Sequence, residues 1–178
     1  MLEYAKKYEE QLKQLFYNTA FDPFYQYEQF MPYRETLKLP DDTYNANHFV
    51  SLHDSEILGM IAYQIKRAEN SVWGLHIIHF GGKQSKHNFI FGNDVLTAIK
   101  DVFQKYGFNK INFCVAIGNP IEKTYDRLIK RYNGRIVGIK KQETRLIDNK
   151  LYDVKEYEIL ADEYFNSDIY KRGKNHEG

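Results

Sequence analysis

A single cysteine, Cys114, is all the chain offers for thiol chemistry. That excludes an intrachain disulfide or a cysteine-rich metal site and fits a reducing compartment. Net charge is nearly as scarce, with 25 Lys plus Arg against 24 Asp plus Glu. No overall field exists to hold a polyanion by counterion release, so nucleic acid is not an expected partner. No uninterrupted apolar stretch approaches the ~20 residues of a membrane span. The opening Met1-Leu2-Glu3-Tyr4-Ala5-Lys6-Lys7 carries charge where a signal peptide needs an apolar core. The expected setting is cytoplasmic, without a membrane partner. Repeats and low-complexity tracts are also missing.

What is present is the balance of an ordinary globular protein, 43% hydrophobic and 28% charged over 178 residues. This length suits one domain, expected over residues 1–160, with a polar, frayed tail over 161–178. Aromatics are abundant, 15 Tyr and 12 Phe. They crowd the front half as Phe21-Asp22-Pro23-Phe24-Tyr25-Gln26-Tyr27, which reads either as core or as the lining of a groove.

Ala5, Tyr8, Leu12, Leu15 and Thr19 recur at helical spacing and predict a first helix over residues 4–19. Strands follow at His48 to His53, around Gly59 to Ile65, and at Val72 to Phe80, joined by Asp54-Ser55-Glu56 and by Arg67 to Ser71. Val95, Leu96, Ile99, Val102, Phe103 and Tyr106 form one apolar stripe, with Asn93 as the expected cap and Gly107 as the stop. Ile111, Phe113, Val115 and Ile117 alternate as a strand. A helix is then signalled by Asn119 as N-cap, Pro120 as first residue and Glu122 closing a capping box. Two β-rich runs, Arg135 to Ile147 and Leu151 to Leu160, close a hairpin through Asp148-Asn149-Lys150.

Chemistry is sought where a strand passes through a loop into a helix, because free backbone N–H groups and the helix dipole there bind pyrophosphate. Residues 80–93 have that context, and Lys83, Lys86 and His87 add charge while Gly92 allows close approach. A second convergence lies at Asn119, where a parted strand would admit an extended arm; the plain alternative is a helix cap. Cys114 reads as core packing, and His76 and His79 fall on opposite faces of one strand.

In order and spacing, the strand Val72 to Phe80, the run Phe89 to Leu96, Val115-Ala116-Ile117-Gly118-Asn119-Pro120, Tyr125 and Gly134-Arg135-Ile136-Val137-Gly138 resemble the GNAT acetyltransferase superfamily. The resemblance covers about half the chain. It implies an α/β fold: a six- to seven-stranded, mostly antiparallel sheet, splayed at the fourth and fifth strands and flanked by helices. It also implies an N-acetyltransferase using acetyl-CoA as cosubstrate, acting on a small-molecule or peptide amine, with a homodimer as one possible assembly. Coenzyme contacts would come from Ile78, Phe80, Lys86, His87, Asn88, Phe89, Ile90, Phe91, Gly92, Asn93 and Asn119. The general acid would be Tyr125, or else Tyr132. The family's phosphate loop usually places Gln or Arg and a first Gly where this chain has His87 and Ile90, retaining Gly92. That departure leaves open an alternative, a GNAT-shaped module that binds or assembles without catalysis. Asp22, Glu28 and Glu35 would draw a cationic acceptor.

Overall fold

The computed structural model describes residues 1–19, 37–80 and 85–174. Its centre is a seven-stranded sheet in the order β1-β2-β3-β4-β5-β7-β6. The strands are β1 (Leu2–Tyr4), β2 (Ala46–His53), β3 (Glu56–Lys66), β4 (Ser71–His79), β5 (Lys110–Ala116), β6 (Arg135–Arg145) and β7 (Leu151–Leu160). Only β4 and β5 run parallel among these neighbours. The helices are α1 (Glu9–Asn18), α2 (Ser85–Gln104), α3 (Glu122–Arg131), α4 (Ala161–Asn166) and α5 (Asp168–Lys174).

The sheet separates two apolar layers. On one face, α1 puts Leu12 and Phe16 against Val50, Met60 and Ile78. On the other, α2 and α3 put Ile99, Val102, Phe103, Tyr125 and Ile129 against Ile61, Leu75, Phe113 and Tyr157. β3 is buried on both faces through most of its length, which explains why it reads as a nearly continuous apolar run rather than an alternating one. The β2–β3 turn follows the reading of Asp54-Ser55: both residues have positive φ, 49° and 67°, the twist a two-residue hairpin favours.

Three expectations are corrected. The predicted helix over residues 4–19 begins only at Glu9, because Leu2–Tyr4 pair with β2 and Ala5–Tyr8 form a 3-10 turn. α2 begins at Ser85 rather than after Asn93. The tail expected to fray instead forms α4 and α5. Tyr164 stacks on Phe103 and Tyr132, with ring centroids 4.6 and 5.4 Å apart, and its hydroxyl accepts a 2.6 Å hydrogen bond from Gln104. Aromatic burial thus holds a segment whose composition is polar.

Candidate active site

β4 and β5 are paired only at Ser71 with Lys110 and Val72 with Ile111. Beyond that the strands part, and the cause lies in β4 itself. Its register against β3 slips between Ala62 and Gln64, so that Gly74 and Leu75 together face the single residue Tyr63. Gly74 adopts φ 60°, a conformation open to glycine at little cost, and the bulge turns the strand away from its parallel neighbour.

Backbone alternation then identifies what lines the opening. The Phe80 N–H donates to Leu58 O of β3 at 2.7 Å, and Ile78 is registered with Met60. The amides of Ile78 and Phe80, the expected coenzyme contacts, therefore turn toward β3, and those of Ile77 and His79 turn toward the gap. On β5 the Ile117 N–H donates to Asp153 O at 2.9 Å. Phe113 and Val115 accordingly face β7, while the backbone groups of Asn112 and Cys114 and the N–H of Ala116 face the gap. Two strand edges thus confront each other without a strand between them.

At the upper end of β4 the expected phosphate residues prove helical. Lys86, His87 and Asn88 belong to the first turn of α2, whose leading N–H groups have no intrahelical acceptor. Phe89, Ile90, Phe91, Gly92 and Asn93 lie further in, and the Asn93 carbonyl accepts the Thr97 hydroxyl at 3.0 Å instead of capping a start. The reason is Phe91, which is buried over Gly59 and stacks on His79 with centroids 4.9 Å apart. A Cβ at residue 59 would collide with Phe91 and with the Ile78 carbonyl. His87 approaches His53, centroids 6.1 Å apart. Burial first, and His87 second, hold the His79 pKa below the ordinary histidine value. Phe89 projects outward, 71% exposed, beside exposed Lys86 and Asn88. Lys83 lies outside the described residues, as does the Phe21 to Tyr33 cluster with Asp22, Glu28 and Glu35.

At the same open end of the gap, β5 turns into α3. The Asn119 side chain serves as a cap, its Oδ1 accepting the Ile121 N–H at 3.0 Å, while Glu122 accepts the Gly118 N–H at 3.1 Å. The expected capping box does not close, because Glu122 takes the Gly118 N–H while the Asn119 N–H goes to Ala116 O at 3.1 Å, and the helix starts at Glu122 rather than at Pro120. Tyr125, 8% exposed, stands edge-on to Phe113 and Tyr157, centroids 5.2 and 6.0 Å away. Tyr132 stands beyond the far end of the helix, stacked on Tyr164, its pKa pushed up to about 12 by burial and then by Tyr164. Of the two tyrosines, Tyr125 is the one at the end of α3 that adjoins the end of β5.

Cys114 is not a core residue. The pleat sends Ile111, Phe113 and Val115 into the α2/α3 layer and leaves Cys114 exposed on the other face, registered with Glu156. Desolvation, then Glu156, raises its pKa, so the thiolate is disfavoured. His76 is exposed, and Ala62 is its register partner and that of His48, which forms a row across three strands. Sequence reasoning did not select His48, since only the β2–β3 register brings it near His76. Two hollows of about 250 and 230 Å3 share Tyr4 and Thr43. The larger includes Asn70 and Phe108, at the end where β4 and β5 remain joined, so neither coincides with the gap.

The sequence matches no protein-family model and no curated protein. Solved structures do match. One is a probable acetyltransferase of the GNAT family from Chromobacterium violaceum ATCC 12472, 15% identical, with TM-score 0.69 over 92% of this chain and 87% of that one. Another is the spermidine/spermine N-acetyltransferase SpeG from Vibrio cholerae, 20% identical, with TM-score 0.66 over 93% of this chain and 95% of that one. The chain therefore has the GNAT fold. Among the described residues no helix is long and apolar enough to cross a membrane.

Proposed function

We propose that the chain is an N-acetyltransferase that moves an acetyl group from acetyl-CoA directly to an amine within a ternary complex. The observation that carries this reading is the parting of β4 from β5, with two unpaired strand edges set between the first turn of α2 and the first turn of α3. A pantetheine arm carries two amide groups and can pair with such edges as an added strand would. The leading N–H groups of α2, with Lys86, favour the diphosphate. In this register the Ile77 and His79 amides are the β4 donors available to the thioester carbonyl.

A neutral amine attacks that carbonyl, and one of these amides stabilises the oxyanion. As the C–N bond forms and the C–S bond breaks, the departing thiolate takes the Tyr125 hydroxyl proton. The attacking nitrogen gives up its extra proton to water, and the phenolate is reprotonated from solvent. No covalent enzyme intermediate is required. SpeG is a spermidine/spermine N-acetyltransferase, which makes aliphatic polyamines the first acceptors to test.

The departure from the family's glycine pattern favours a second reading, a GNAT-shaped module without catalysis. Acetylation of a polyamine in the presence of acetyl-CoA, followed by mass spectrometry, separates the two, and coenzyme binding is tested first. Acetyl-CoA raises the melting temperature of a protein that binds it when folded, and mass spectrometry of the purified protein detects retained CoA. An unchanged melting temperature at millimolar acetyl-CoA would leave only the second reading.

A further inference from the structure

Lys155 projects from β7 against the first two turns of α3. Its side chain is only 14% exposed, and its ammonium pairs with Glu122 and reaches both oxygens of Asp126 at 3.3 and 3.4 Å. The Tyr157 hydroxyl donates to Asp126 Oδ1 at 2.9 Å, and Glu122 also holds the Gly118 N–H at 3.1 Å. Tyr125 stands between these two carboxylates in the chain, its ring edge-on to Tyr157. The helix is therefore pinned on either side of Tyr125, and rotation about its axis is blocked.

Such a network is a costly way to gain stability. Lys155 and Glu122 are partly withdrawn from water, which offsets part of what their attraction returns, and Asp126 is half-exposed, where an ion pair adds little stability. What it supplies is a fixed geometry. Hydrogen bonding to Glu122 raises the Lys155 pKa, and Lys155 in turn lowers that of Glu122, so this pair stays charged through the neutral range.

We propose that Lys155 is a positioning residue that fixes Tyr125 at the coenzyme gap by locking the first turns of α3 to β7. The inference rests on the reading of Tyr125 as proton donor. Its test uses protein labelled with 13C at tyrosine Cζ, the Tyr125 resonance being identified by its loss in Tyr125→Phe. On saturation with acetyl-CoA the Tyr125 resonance moves in the wild type and in Lys155→Arg. In Lys155→Met the coenzyme still binds, and the shift is lost. An equal shift in Lys155→Met overturns the proposal. A wild-type Tyr125 resonance that ignores acetyl-CoA overturns the proton-donor reading first, and is recognised without any lysine variant.

Turnover gives a second readout. Lys155→Met lowers kcat about tenfold with KM for acetyl-CoA retained, as displacement of a catalytic group does. The loss disappears in a Tyr125→Phe background, because the two changes act on one group. An undiminished loss there shows a merely structural role and overturns the proposal. Should Lys155→Met fail to fold, Lys155→Gln, which keeps most of the stem and removes the charge, is read by the same criteria.

Discussion

The sheet has two halves built on different principles. β2, β3 and β4 pack against α1 on one face and α2 on the other, and their interior is mostly apolar, with buried Asn47 and Ser51 hydrogen-bonded to Tyr63 and Asp94. β5, β7 and β6 carry α3 on one face, while the other holds a ladder of ion pairs. Lys110 and Arg135 meet Glu158 at 3.2 and 3.4 Å, Arg135 meets Glu163 at 2.9 Å, and Lys140 meets Glu156 at 2.7 Å. β6 is an edge with Ile136, Val137 and Ile139 about half exposed. It is guarded by lysines and by an irregularity at Gln142, where φ is 51° and the N–H turns to Asp153. The gap lies where the halves meet. The first half is a rigid wall set by packing, and the second is positioned by charge.

The sharpest way to break the first half is at Gly59, where an added Cβ meets the Ile78 backbone and the Phe91 ring together. Gly59→Val should cost ~3 kcal/mol, since overpacking against backbone has no flexible partner to yield. Urea unfolding gives the number, and a loss under ~1 kcal/mol would mean that α2 is not seated on β3 as described. In the second half the largest effect is catalytic. Tyr125→Phe should lower kcat about 100-fold with KM for acetyl-CoA little changed, as expected for a lost proton donor. If Tyr132→Phe gives that loss instead, the acid lies at the other end of α3.

These contrasts also mark what the residues disclosed on their own. β5 was legible because Ile111, Phe113 and Val115 alternate, and the existence of α3 because Asn119 and Glu122 hold the turn ahead of it, although the helix starts at Glu122 and not at Pro120. The start of α2 was not. Gly92-Asn93 has the local chemistry of a break, whereas the deciding term is the slot that Gly59 leaves for Phe91, on a strand far away in sequence. The outward face of Cys114 was equally hidden, since alternation shows which residues share a face and not which face is covered. The side of β4 that faces the gap depends on its pairing with β3, and no local pattern encodes that register.

A smaller effect separates the halves by pH. His79 and His48 belong to the packed half, and burial lowers both pKa values, with His87 and His76 as the respective second causes. Protonation is harder in the folded chain than in the unfolded one. Stability is therefore complete above the ordinary histidine value of about 6.5 and declines as pH falls below it. Urea midpoints compared at about pH 7.5 and pH 5.5 should fall for the wild type and fall less for His79→Phe. Parallel profiles would show that His79 carries no part of the decline. The groups facing His79 and His87 from neighbouring elements include His53, whose Nε2 lies 3.2 Å from an Asp54 carboxylate oxygen. Asp54 is exposed and screens little.

The smallest expected effect tests whether the proposed coenzyme contact extends to the packed half. Gly92 was expected to let the backbone approach a diphosphate, yet it lies inside α2 with open space where a Cβ would be. An exposed helical glycine costs ~1 kcal/mol relative to alanine, through the freedom it loses on folding. Gly92→Ala should therefore raise the unfolding free energy by about that amount and leave acetyl-CoA affinity unchanged. A gain in stability accompanied by weaker binding would sharpen the comparison in the other direction. It would mean that the coenzyme runs along the outer face of α2 past Gly92, so that the wall set by packing is itself part of the binding surface.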